Sequence, residues 1–285
     1  MLPQGIYAPP VAVELTVRLD DAKLRIGCSG WSYKDWAGGF YPKDLDSKVY
    51  LKFYSGVFNA VEIDSSFYRT PSPYVVEQWK RVTPEGFLFS PKLPRKITHE
   101  KKLIDFEPQL AYFYGVVSKL GNKLGPIVAQ LPPSIKVSTH ESAMERFVSS
   151  LDPKLQHAIE FRHKSWFTPE VYKLLKKHNV AMGWSLNQYL ETPAEVTANF
   201  VYLRMVGERD ITDFSEIQKN RTEDMKRWAG NLEENGKDYD NGFIFFNNHF
   251  AGFGPESVNE FRRLMGMIEL DWEKQSGPRQ TSLDS

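Results

Sequence analysis

The sequence predicts an α/β fold, a single (β/α)8 TIM barrel carrying an N-terminal extension and a short polar C-terminal tail. Short apolar runs alternate with stretches of helical periodicity, eight runs in all, and strands alternating with helices read as a parallel sheet. Eight such units in about 250 residues is the size of a barrel, and the chain has 285. Polar and apolar groups also separate onto alternate positions near the ends of the runs, as expected of strands whose two faces meet different surroundings. The rival architecture is a doubly wound open sheet. It favours a glycine-rich phosphate loop after the first strand, but Gly27-Cys28-Ser29-Gly30 is not GxGxxG, and no GxxxxGK[ST] occurs.

In chain order, residues 1–23 contain Pro3, Pro9 and Pro10 and read as the extension, 24–272 as the barrel and 273–285 as the tail. The expected strands are 24–28, 60–64, 87–92, 126–131, 158–162, 180–185, 200–205 and 242–247. Leu110, Phe113, Tyr114 and Val117 keep the i, i+3, i+4, i+7 spacing of one buried helical face. Val171, Leu174, Leu175 and His178 repeat it after the fifth strand, and Phe261, Leu264, Met265 and Ile268 after the eighth. Residues 191–199 read as a weak helix, and 214–234 as a long helical segment carrying Met225, Trp228 and Leu232. Pro255 suits the first position of the last helix.

Composition narrows the function classes. Lys plus Arg and Asp plus Glu both number 36, so no global basic field holds the protein to nucleic acid. The one cysteine, Cys28, excludes an intrachain disulfide and a CxxC metal site. No apolar run approaches the roughly 18 residues of a membrane span, and the N-terminus shows no signal-peptide pattern. A cytoplasmic protein without membrane attachment is expected. No cofactor or oligomeric state follows from the sequence.

The alternation locates a site. One set of strand positions holds Ile26, Val61, Ile63, Ile127, Ile159, Phe161, Val201, Leu203, Ile244 and Phe246. The opposite set holds Ser29, Glu62, Lys92, Gln130, Glu160, Arg162, Arg204 and Asn247. In a barrel the apolar set lies under the helices and the polar set converges on the axis near the carboxyl ends of the strands, where barrel enzymes keep their chemistry. A structural ion network is the alternative. Buried charges are costly to assemble, and charges gathered from so many strands favour a ligand or catalytic site.

Two carboxylates against three cations leave this set at +1, which suits an anionic ligand, with Arg forks on phosphate or carboxylate. Glycines in 248–254 before the last helix offer N–H groups to an anion or to a plain cap. Metal is disfavoured by the neighbouring cations. His99-Glu100 and His140-Glu141 lack the second His of HExxH, although Glu62, Glu160, His163 and His249 are the residues a metal would recruit. Glu62 and Glu160 are also a candidate glycosidase pair, and Lys92 a candidate Schiff-base nucleophile where its neighbours depress its pKa. Trp31, Tyr33, Trp36, Phe67, Tyr68, Trp166 and Phe253 flank the strand ends, either stacking on a ligand or plugging the barrel mouth. Glu160 and Arg162 face the same way. In a solvated pocket, neutralising Glu160 leaves stability within about 1.5 kcal/mol, whereas breaking a buried pair costs about 3–5 kcal/mol.

Six ordered motifs carry a family resemblance: Gly27-Cys28-Ser29-Gly30-Trp31-Ser32-Tyr33; Val61-Glu62-Ile63-Asp64-Ser65-Ser66-Phe67-Tyr68; Ser90-Pro91-Lys92-Leu93-Pro94-Arg95 with Ile97-Thr98-His99; Gly125-Pro126 with Gln130-Leu131-Pro132-Pro133; Glu160-Phe161-Arg162-His163 with Ser165-Trp166; and Phe246-Asn247-Asn248 before Gly252. From about Arg25 to Gly266 the chain resembles domain-of-unknown-function family 72, the YecE-like proteins. The resemblance implies a TIM barrel. It implies no settled activity, only an analogy to nucleic-acid or phosphate chemistry. Trp31, His163 and Asn248, just past the strand ends within these motifs, join the candidate ligand-binding set. The chain departs at the sixth strand, where Trp184-Ser185-Leu186-Asn187 replaces an expected acidic residue.

Two function classes stand open. One is an enzyme acting on a phosphate-bearing or other anionic ligand, such as a nucleotide or nucleic-acid end. There Glu62 or Glu160 is the general base, and Lys92, Arg162 and Arg204 hold the anion. The other is a non-catalytic protein binding an anion or strand in the same pocket.

Overall fold

Each of the eight apolar runs forms a strand paired in parallel with a neighbour, in a computed structural model that describes residues 23–187 and 190–274. The strands are β1 (Leu24–Cys28), β2 (Ala60–Ile63), β3 (Leu88–Pro91), β4 (Ile127–Gln130), β5 (His157–Glu160), β6 (Val180–Asn187), β7 (Leu190–Glu191), β8 (Phe200–Gly207) and β9 (Asn241–Phe246). The helices are α1 (Tyr50–Val57), α2 (Ser65–Tyr68), α3 (Pro73–Val82), α4 (Glu107–Val117), α5 (Val137–Ser149), α6 (Pro169–Lys177), α7 (Thr222–Glu234), α8 (Asn248–Ala251) and α9 (Gly254–Leu264). Apart from Lys23, the expected N-terminal extension lies outside the described residues, as does the tail beyond Lys274. Among the described residues no helix is long and apolar enough to cross a membrane.

Local chemistry sets the helix starts. Ser72 and Thr168 accept hydrogen bonds from the N–H groups of Val75 and Val171, and Pro73 and Pro169 follow them in the first turn, where a missing N–H costs nothing. Pro255 sits in the first turn of α9.

The sheet is curled and parallel, with helices packed on it, but its hydrogen bonding is not one continuous eight-stranded ring. One ladder runs β1-β9-β8-β6-β5-β4, with the short β7 antiparallel to β6, and β2-β3 forms a second. Side chains interrupt the two seams between the ladders. Between β1 and β2, the Cys28 N–H donates to the Tyr54 hydroxyl (2.7 Å), which donates to the Ala60 carbonyl (3.1 Å). The Asn59 side chain accepts from the Ile26 N–H. Direct contact resumes at the end of the seam, where the Gly30 N–H reaches the Glu62 carbonyl (2.8 Å) beside a single parallel bridge from Ser29 to Glu62. Residue 27 must be glycine, because a Cβ there would fall 2.0 Å from the Ala60 oxygen. At the β3–β4 seam Pro126 has no N–H to give. The Ser90 hydroxyl donates to the Pro126 carbonyl instead (2.5 Å), flanked by bridges Phe89–Leu124 and Lys92–Val128.

The two faces of the sheet differ as the alternation requires. All ten apolar positions of the first set belong to the large core that also takes in the helices' buried residues. The inner face has its own apolar layer, including Ala60, Val128, Ala158, Ala181, Tyr202 and Phe245. Two residues further along their strands stand Glu62, Gln130, Glu160 and, after Tyr202, Arg204. The inner face is therefore apolar at the amino ends of the strands and charged at the carboxyl ends.

Three helical expectations change. Residues 192–199 are an irregular strap along β6. The Thr192 and Thr197 hydroxyls accept the Ser185 and Met182 N–H groups, and Trp184 Nε1 donates to the Glu195 carbonyl. With Pro193 in the segment, satisfying these buried groups outweighs a weak helical preference. Residues 208–221 are loop, so helix is confined to 222–234. At the last helix, α9 stops at Leu264, and a left-handed Gly266 (φ 67°) turns the chain outward and leaves Ile268 80% exposed.

Candidate functional site

A cleft of about 280 Å³ opens at the carboxyl ends of the strands. Beneath it lies Arg204 of β8, only 2% exposed. Its guanidinium gathers three carboxylates. Nε and Nη2 bond the two oxygens of Glu62 (2.7 Å each), Nη1 bonds Glu160, and Nη2 reaches Asp64 (3.3 Å). Burial works against the Arg204 charge, but Glu62, Glu160 and Asp64 outweigh it and hold its pKa well above the ordinary value.

Glu62 is fully buried and saturated. Besides Arg204 it accepts from the Ser29 hydroxyl and the Tyr202 hydroxyl (2.8 Å each). Glu160, also 0% exposed, is held by Arg204 and by Arg162 Nε (2.8 Å). Burial alone would raise the Glu160 pKa, yet the surrounding Arg204, Arg162 and Lys92 bring it down to about 2. Neither carboxylate lines the cleft. Both point at one guanidinium rather than flanking open space, which leaves no room for a substrate between them as a glycosidase pair.

The groups that do face the cleft sit one layer higher. Asp64, with 28% of its side chain exposed, pairs with Lys92 (3.4 Å) and takes a long hydrogen bond from Asn247 Nδ2 (3.5 Å). Burial pushes the Asp64 pKa up, but Lys92 and Arg204 more than offset it and leave it below the usual range. The Lys92 amine donates to Gln130 Oε1 (2.7 Å) and lies 4.6 Å from the centre of the Phe67 ring. Burial is the main force lowering its pKa, and Asp64 only partly offsets it. Arg162 and Arg209 complete the cationic side, Tyr33, Tyr68 and Phe214 the aromatic side.

The sequence-derived candidates thus divide. Lys92, Gln130, Arg162, Arg204, Asn247 and Asn248 line the cleft, while Ser29, Glu62 and Glu160 lie below it. Trp31 and His163 are elsewhere. Gly30, with φ 91°, turns the chain so that Trp31 packs edge-on against Trp79 (5.4 Å). His163 caps a short helical turn, its Nδ1 accepting from the Ser165 N–H. Among the flanking aromatics, Tyr33 and Tyr68 reach the cleft, whereas Trp36, Trp166 and Phe253 are core. The 248–254 loop spends its donors internally: Phe250, Gly252 and Gly254 N–H groups bond Asn247, Asn248 and the Asn248 side chain. Asn248 also accepts from Trp36 Nε1, and its own Nδ2 has no partner among the described residues.

Asp64 and Tyr202 were not in the sequence-derived set. Both share the inner-face alternation, two residues after Glu62 and two before Arg204, so the signal was present. Asp64 supplies a third carboxylate just past the end of β2, although none comes from β6. Among the described residues no three His, Cys, Asp or Glu side chains converge in a metal-holding group.

The fold and sequence have relatives. A Thermotoga maritima DUF72 family protein aligns with a TM-score of 0.74 at 26% identity, over 86% of this chain and 99% of that one. An Enterococcus faecalis DUF72 family protein shares the fold, with a TM-score of 0.69 at 17% identity, over 86% of this chain and 98% of that one. The UPF0759 protein YunF of Bacillus subtilis is 25% identical over 91% of this chain and 99% of its own length. The UPF0759 protein YecE of Escherichia coli is 29% identical over half of each chain. With its family model matched across residues 25–281, the chain belongs to the family described as protein of unknown function DUF72.

Proposed function

We propose that this protein is a (β/α)8-type enzyme that takes a small phosphate- or carboxylate-bearing ligand in the cleft at the carboxyl ends of its strands. Ring closure is supported by the isolated parallel bridges Ser29–Glu62, Phe89–Leu124 and Lys92–Val128, which lie at the two seams between the ladders. The anion reading rests on one observation: cations that the protein's own carboxylates do not fully occupy face the cleft. Three carboxylates, Glu62, Asp64 and Glu160, stand against four cations, Lys92, Arg162, Arg204 and Arg209, a surplus of one positive charge. Among the described residues Arg162 bonds only through Nε, to Glu160, so its two remaining nitrogens are available for a bidentate grip. Arg209 is exposed and has no ion pair among the described residues.

In this reading Glu62 and Glu160 fix the position of Arg204. Proton transfer falls to Asp64, the carboxylate that lines the cleft. A nucleotide or nucleic-acid end offers the same phosphate chemistry, with Tyr33, Tyr68 and Phe214 as stacking faces. The close Asp64–Lys92 pair favours catalysis over simple capture. Thermal melts test the reading. Phosphate or sulfate raises Tm in a saturable way, because a ligand that binds only the folded state stabilises it. An equal rise with chloride at matched ionic strength rules out a specific anion site.

A further inference from the structure

We propose that Lys92 is a covalent nucleophile, forming an imine with a small aldehyde or ketone that carries a phosphate or carboxylate group. The proposal rests on the anion reading of the cleft and names its substrate class. Two buried lysines of this chain make the comparison. Lys123, 5% exposed, donates to three acceptors: the Lys80 carbonyl (2.7 Å), the Thr83 carbonyl (2.6 Å) and the Thr83 hydroxyl (3.2 Å). That uses all three donors of an ammonium and is a structural lysine. Lys92, 6% exposed, has only two acceptors among the described residues, the neutral Gln130 oxygen and the Asp64 carboxylate that it shares with Arg204. Its third N–H meets no acceptor among the described residues, only the soft face of the Phe67 ring, and among those residues it supplies the one primary amine lining the cleft.

The chemistry balances without any redox partner. The Nζ lone pair of neutral Lys92 attacks the carbonyl carbon, forming the C–N bond as the C=O π pair moves to oxygen. Asp64, 3.4 Å from Nζ, accepts the proton released from nitrogen and returns it to that oxygen. A second proton, taken from solvent water through Asp64, lets the oxygen leave as water, and the nitrogen lone pair forms the C=N bond of a protonated imine that keeps this positive charge. Arg162 and Arg209 hold the ligand's anionic end meanwhile. Burial and the nearby Arg204 charge both lower the Lys92 pKa against the pull of Asp64, so a larger share of this otherwise cationic amine is in the neutral form that the first step needs.

Reductive trapping tests this on the whole chain. The protein is incubated with glycolaldehyde phosphate or pyruvate and sodium cyanoborohydride, and the adduct is located by peptide mapping. The expected result is labelling of Lys92 at least about tenfold above the exposed Lys96 and Lys136, suppressed by inorganic phosphate. Asp64→Asn, which keeps the amine, slows labelling of Lys92 by about tenfold. Labels confined to exposed lysines, while phosphate still raises Tm, overturn the amine role and leave the anion site standing. Labelling of Lys92 by uncharged glycolaldehyde at the same rate, unaffected by phosphate, overturns the anionic substrate class and the anion reading together. Because the mapping is done on the unaltered chain, the result does not depend on a Lys92 variant folding.

Discussion

Arg204 shows how one side chain can decide what its neighbours are able to do. By drawing Glu62 and Glu160 onto its guanidinium it removes both from acid–base work and makes them part of the scaffold. Glu160→Gln leaves an uncompensated charge in a buried network, so it is expected to cost about 3–5 kcal/mol in a denaturant melt. A cost under about 1.5 kcal/mol is what a solvated pocket would give, and the 0% exposure of Glu160 argues against it. The same group sets an acid limb. Its folded pKa of about 2 lies below the unfolded carboxylate value. Its stabilisation is therefore complete above roughly pH 4.3 and is lost as the pH falls towards 2. Stability measured from pH 5 to 2.5 falls less steeply in the Gln variant than in the parent. At this scale the sequence was informative where alternation applied. Glu62, Lys92, Gln130, Glu160 and Arg204 come to the inner face as their spacing requires. Which of them meet solvent was not legible, because depth along a strand leaves no periodic trace.

At the scale of elements, the seams matter more than the ladders. A strand pattern announces β1 and β2 as strands, but nothing in it shows that a tyrosine hydroxyl from α1 stands between them. Tyr54→Phe leaves the Cys28 N–H and one lone-pair direction of the Ala60 carbonyl without their partner. A loss of about 1–3 kcal/mol is expected, with faster hydrogen exchange at the Cys28 amide. Unchanged protection of that amide would show that the seam closes without the hydroxyl. The 191–199 segment carries the same lesson. Its residues favour helix weakly, and the deciding fact is the set of β6 backbone groups that Thr192 and Thr197 satisfy. Partners distant in space override local preference, and single-sequence periodicity does not report them.

Over the whole molecule, a chain of zero net charge buries one cluster of ionic side chains at the carboxyl ends of its strands. The inner face is apolar below and ionic above, and the whole ionic cluster, buried carboxylates included, ends with a surplus of one positive charge. Alternation and unit count foretold that layering. The +1 balance survived for a different reason than its first accounting, since Asp64 and Arg209 enter together and cancel. A site whose charges are already paired with one another holds its geometry before a ligand arrives, which lowers the reorganisation that binding requires.

Arg209→Ala is the cleanest probe of this account, because Arg209 lines the cleft, is exposed and supports no ion pair among the described residues. Calorimetric titration of phosphate into the parent and this variant, at constant ionic strength, measures the claim directly. The account predicts one saturable site in the parent and an affinity about tenfold weaker in the variant, from loss of a charge-assisted contact. Folding stability should stay within about 0.5 kcal/mol. Equal affinity in the two proteins, or no saturable binding in the parent, would contradict it.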